Sequence, residues 1–174
     1  MARIRSSGKK TALGGVLTAG SLALIWLASV APSGRLGLTA AAGLFPVAGV
    51  LSGGPGVGYL CWAAAGILSL LLVPDKGTAL LYLLFFGLYP VAKSRMEGLH
   101  SRWREWGLKL VFFNAVLTLC WFLFRALLLP DPPQWLTEHL WLLYGGGNLI
   151  FVCYDVGLTQ LIGLIHSRIG GRLR

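Results

Sequence analysis

Six apolar runs, each close to the length of a bilayer crossing, follow one another through the 174 residues, separated by short stretches rich in Pro, Gly and charge. A helix needs about 20 residues to cross the hydrocarbon layer. The runs are 11–31, 36–52, 57–73, 78–92, 106–129 and 139–165, with a basic N-terminus over 1–10 and a basic tail over 166–174. Composition supports lipid as the solvent: 56% of residues are hydrophobic and 12% charged, against about 25% charged in soluble domains. The expected fold is all-α, one polytopic transmembrane domain of six helices, and a soluble enzyme is excluded.

The punctuation fixes the ends. The first run is too long for a signal-peptide core and more spans follow it, so it reads as a retained helix. Pro46 interrupts the second run and predicts a short or kinked span. Gly53-Gly54-Pro55-Gly56 and Pro74-Asp75-Lys76-Gly77 read as turns, and Pro130-Asp131-Pro132-Pro133 ends the fifth run. Alternating the connections across a membrane places twelve Lys and Arg on the side of both termini and three, Arg35, Lys76 and Arg125, on the other. By the positive-inside rule both termini are then cytoplasmic, in the cell membrane. The net charge of +9 is accounted for by topology and attraction to anionic lipid, not by a nucleic-acid partner.

Cys61, Cys120 and Cys153 stand singly in apolar spans and read as small buried hydrophobes. His100, His139 and His166 lack metal-ligand spacing, so neither metal nor cofactor is expected. Gly54-Pro55-Gly56-Val57-Gly58 lacks the Lys-Ser/Thr of a phosphate loop.

Polar groups inside the spans carry the functional signal, since an ionised side chain at mid-bilayer costs roughly 2.5 to 3.5 kcal/mol. The sixth span places Asn148, Asp155 and Thr159 on one face, continued by Gly145, with Gln160 beside it. In an antiparallel neighbour, Asn114 of the fifth span is expected at the depth of Asp155 and Thr159, and Arg125 at that of Asn148. Asn114, Asp155 and Thr159 are thus candidates for intramembrane polar support. Tyr82, Arg125 and Asn148 are candidates for contact with a small solute in an outward-facing pocket. Two readings of Arg125 stay open: that pocket, or snorkelling toward Asp131 and Glu138. Tyr82, Phe86 and Tyr89 form an aromatic stripe, more often lipid contact or core than pocket, with Tyr82 at its outer end. In the first span Gly15, Ala19 and Ala23 recur at spacing four, a strip for close helix approach, either within the bundle or to a partner.

This layout resembles the substrate-binding S components of energy-coupling-factor vitamin transporters. These are small, basic, six-helix membrane proteins whose first helix carries small residues that contact the coupling subunit, at a place similar to Gly15, Ala19 and Ala23. Leu71-Leu72-Val73-Pro74-Asp75-Lys76, Phe85-Phe86-Gly87-Leu88-Tyr89-Pro90, Phe113-Asn114, Gly147-Asn148 and Tyr154-Asp155 also resemble a six-helix membrane protein family of Gram-positive bacteria. The first resemblance implies uptake of a small solute such as a vitamin, with a separate transmembrane coupling subunit and ATPase subunits as partners. A non-catalytic scaffold or regulator of a membrane complex and a membrane enzyme using Asp155 are the other classes left open.

Overall fold

The structure, a computed structural model, describes residues 2–97, 101–127 and 139–170, all helix and turn with no strand among them. It divides into two compact units, Met1–Glu105 and Trp106–Arg174. Among the described residues six helical segments are long and apolar enough to cross a membrane: Gly8–Val30, Arg35–Gly53, Pro55–Leu72, Lys76–Met96, Arg102–Leu123 and Leu140–Leu164. The chain is a multi-pass membrane protein by that measure, its exposed leucines, valines and isoleucines facing what would be lipid.

In the first unit α1 (Ala2–Val30) packs against α4 (Pro55–Leu72), with α2 (Arg35–Ala42) and α3 (Leu44–Gly53) between them in sequence. The second span is broken into two helices, and Pro46 explains where. Proline offers no N–H to the carbonyl four residues back, that of Ala42, and its ring crowds it. The break therefore falls at Gly43, one turn before the proline. Ser21 Oγ on α1 lies 3.0 Å from the Ala42 oxygen and 2.7 Å from the Tyr82 hydroxyl. A carbonyl can only accept, so the serine hydrogen goes to Ala42 and Tyr82 donates to Ser21.

The fourth span repeats this device. It comprises α5 (Lys76–Leu81), a wider π-helical turn over Tyr82–Phe86, and α6 (Leu88–Met96). Gly87 N–H reaches five residues back to Tyr82 O at 2.8 Å. Leu83 O instead accepts the indole N–H of Trp62 at 2.8 Å. Pro90 likewise leaves the Phe86 carbonyl without its usual helical donor, and that oxygen lies against Gly43, where any Cβ would collide with it. Ile25, Ala42, Ala65, Val73 and Tyr82 form the core around these contacts, flanked by Trp62 and Phe86.

The turns are short and wired. Gly54, at φ 93°, is the lone residue between α3 and α4, and Pro55 opens α4, where a missing N–H costs nothing. Asp75 caps α5 by accepting from Gly77 N at 3.0 Å and Thr78 Oγ1 at 2.6 Å. Lys76 Nζ folds back onto the Leu70 and Val73 carbonyls at the end of α4, at 2.8 and 2.9 Å. Arg35 lies 3.6 Å from the Asp75 carboxylate. Burial raises the Asp75 pKa, but the Thr78 hydroxyl, the Gly77 and Thr78 amides and Arg35 together outweigh it and hold it below the ordinary carboxylate value.

The second unit contains α7 (Arg102–Leu127) from Trp106 onward and α8 (Leu140–Gly170). Two sequence expectations change here and in the fourth span. Lys93 and Lys109, two of the twelve basic residues assigned to the side of the termini, lie within α6 and α7 and are buried, although the charge bias keeps its direction without them. Cys153 is exposed, whereas Cys61 and Cys120 are buried.

Candidate functional site

The polar groups of α7 and α8 meet as a ladder with three rungs. On α7 Asn114 and Thr118, four apart, share one face, and Lys109, five residues before Asn114, reaches the same neighbour with its longer side chain. Asp155, Asn148 and Tyr144 recur at seven and four on α8. The first rung is an ion pair: Lys109 Nζ lies 3.2 Å from Asp155 Oδ2, with both side chains almost fully buried. The Trp106 ring, one turn before Lys109, lies 5.4 Å from the same ammonium, a cation–π distance. Thr159 donates to the backbone carbonyl of Asp155 at 2.8 Å.

The second rung is a reciprocal amide pair. Asn114 Nδ2 donates to Asn148 Oδ1 at 3.0 Å, and Asn148 Nδ2 to Asn114 Oδ1 at 3.1 Å. Each amide also serves its own helix four residues back, Asn114 to Leu110 O and Asn148 to Tyr144 O, both at 2.8 Å. In the third rung Thr118 Oγ1 donates to Asn114 O and lies 2.8 Å from the Tyr144 hydroxyl, which therefore donates to it. Between the rungs Phe113 and Phe151 stack with centroids 4.5 Å apart. Gly147 leaves room for Leu117 and Phe113 to approach α8 closely.

This arrangement changes the expected register. Asn114 meets Asn148, seven residues earlier in α8 than Asp155, and Asp155 is held by Lys109 instead. Arg125 is exposed on α7, seven residues beyond Thr118 and so about 10 Å past the third rung. It does not share a level with Asn148. Asp131 and Glu138, its alternative partners, lie outside the described residues. Gly145 and Gln160 are exposed and take no place on the ladder, where Tyr144 and Gly147 stand instead. Tyr82, in the first unit, is fully buried with its hydroxyl on Ser21. The stripe it forms with Phe86 and Tyr89 is core, Tyr89 stacking on Phe85 at 5.5 Å.

The strip on α1 fares differently. Gly15, Ala19 and Ala23 are all exposed, and a Cβ built on Gly15 would meet nothing within 4 Å. Gly15 and Ala19 border a groove of about 790 Å³ between α1 and α4. Within the first unit the strip is left uncovered, apart from the groove that Gly15 and Ala19 border with α4.

Lys109, Thr118 and Tyr144 were not singled out from sequence. The signal for Lys109 was its setting in Leu108-Lys109-Leu110-Val111, a cation inside an apolar run that demands a partner. Among the described residues no three His, Cys, Asp or Glu side chains gather where they could hold a metal. Chemically the ladder binds two helices through satisfied polar groups and stores one buried charge pair. Comparison with protein-family models, with curated proteins and with solved structures gave no match.

Proposed function

We propose that this chain is a membrane-embedded, non-catalytic subunit for uptake of a small solute such as a vitamin, working in the cell membrane with separate coupling and ATPase subunits. The observation that carries the reading is the open strip of Gly15, Ala19 and Ala23. Three small residues on successive turns leave a flat face about 12 Å long, and small faces of this kind let a second transmembrane helix pack closely. An energy source must come from such a partner, because the sequence has no nucleotide motif. In this topology both termini are cytoplasmic. The Lys109–Asp155 pair is then the element whose separation or protonation would accompany movement.

A second reading, a membrane scaffold or regulator, is favoured by one specific observation. Tyr82 and Asn148, two of the three residues expected to touch a solute, spend their polar atoms inside the protein. Two measurements separate the readings. Affinity purification from native membranes in mild detergent should recover a transmembrane subunit with paired ATPases if the chain serves uptake. A panel of water-soluble vitamins should include one that protects the purified chain against heat. Recovery of a stable partner without ATPases, and no protection by any solute, would favour the scaffold.

A further inference from the structure

The groove between α1 and α4 has a floor, two walls and a charged end. Gly14 and Thr18 on α1 face Gly56, Cys61 and Ala64 on α4, and Lys10 stands at one mouth. Val57 and Cys61 on the floor are buried, while Leu60 at the rim is 71% exposed. Both helices run in the same direction away from Lys10: Gly14 lies against Val57, and four residues on in each helix Thr18 hydrogen-bonds with Cys61. From Lys10 to Leu22 the groove extends about 18 Å along the α1 axis. One leaflet of hydrocarbon is about 15 Å deep, half of a 30 Å core. The groove therefore has about the length of one acyl chain, opens along exposed apolar residues of α1 and α4 such as Leu60, and begins at a cation. Among its described lining residues Lys10 carries the single formal charge, with no acid beside it.

We propose that an anionic phospholipid of the leaflet nearest the N-terminus binds in this groove, one acyl chain along α1 and α4 and its phosphate on Lys10. Apolar length and charge complementarity together select this occupant. A zwitterionic lipid would fit the walls equally but gain less at Lys10. The proposal does not rest on the uptake reading, although Gly15 and Ala19 border both surfaces, so a docked partner helix and the lipid would compete for that edge.

The test uses the purified full chain in micelles doped with equal amounts of phosphatidylglycerol or phosphatidylcholine, with bound lipid read by native mass spectrometry. Phosphatidylglycerol should be retained preferentially. Lys10→Gln, a change at an exposed position, should lower that retention about fivefold, and Lys9→Gln, one residue off the groove, by less than about twofold. Ala64→Trp, which fills the groove from α4, should abolish retention of both lipids while circular dichroism shows the helices intact. Equal retention of the two lipids by the unaltered chain would overturn the proposal. So would equal effects of Lys9→Gln and Lys10→Gln, which would mean diffuse attraction to a basic terminus, or unchanged retention by folded Ala64→Trp.

Discussion

Replacing Asp155 with Leu removes the carboxylate from a buried ion pair and takes that opposite charge from the Lys109 ammonium, which is itself buried. Removing one partner of such a pair costs about 3–5 kcal/mol in soluble proteins. Here the cost is moderated by position. Lys109 lies seven residues into α7, about 10 Å from its start, and its stem can turn back past the Trp106 ring toward the helix end. The expected loss is therefore about 2–3 kcal/mol. Asp155→Asn, which keeps an oxygen acceptor but no charge, should lose about 1–2 kcal/mol. The pair Lys109→Met with Asp155→Leu should recover most of the loss, because neither charge then needs to leave water. Unfolding by dodecyl sulfate in mixed micelles, followed by circular dichroism, gives the four stabilities of the double-mutant cycle. A double variant no more stable than Asp155→Leu alone would show that the carboxylate acts through something other than Lys109.

Three further outcomes are expected. Gly43→Ala should destabilise by about 1–3 kcal/mol, because the added methyl meets the backbone carbonyl of Phe86, and thermal unfolding in detergent measures it. Asp75 has a folded pKa below its ordinary 3.8, so its contribution is fully present at neutral pH and is lost as pH falls below that value through the depressed one. Asp75→Asn should flatten that acid limb of the stability curve. In a cysteine-free background an impermeant thiol reagent should label Asp131→Cys from outside intact cells and spare Ser101→Cys; the reverse pattern would invert the topology.

The spans were legible because bilayer thickness imposes a length and apolarity that few other constraints imitate. Their interior irregularities were legible only in part. Pro46 announced a break, but the break sits at Gly43 because the carbonyl freed by a proline lies one turn earlier. The π turn over Tyr82–Phe86 has no period of its own in the sequence; it follows from tertiary surroundings, the Trp62 indole that donates to the Leu83 carbonyl and Gly43, which leaves room for that of Phe86. The ladder was seen as polar residues on one face of each helix, yet its pairing was misjudged. Levelling two antiparallel helices by their ends presumes a connection that sets them flush. The true register follows side-chain chemistry, Lys109 with Asp155 and Asn114 with Asn148, which fixes the offset two turns away from the flush one. Counting Lys109 with the basic residues on the side of the termini hid the strongest of these pairs.

The central claim, a membrane subunit that works through a partner held on α1, is tested most directly by comparing co-purification from native membranes for the unaltered chain, Ala19→Trp and Leu149→Trp. Ala19 lies in the open strip, whereas Leu149 is 69% exposed on α8, away from it in sequence and unit. The account predicts that a transmembrane subunit and its ATPases accompany the unaltered chain and Leu149→Trp, and are lost from Ala19→Trp while that variant stays monodisperse and helical. Undiminished recovery of the partner with Ala19→Trp would contradict it.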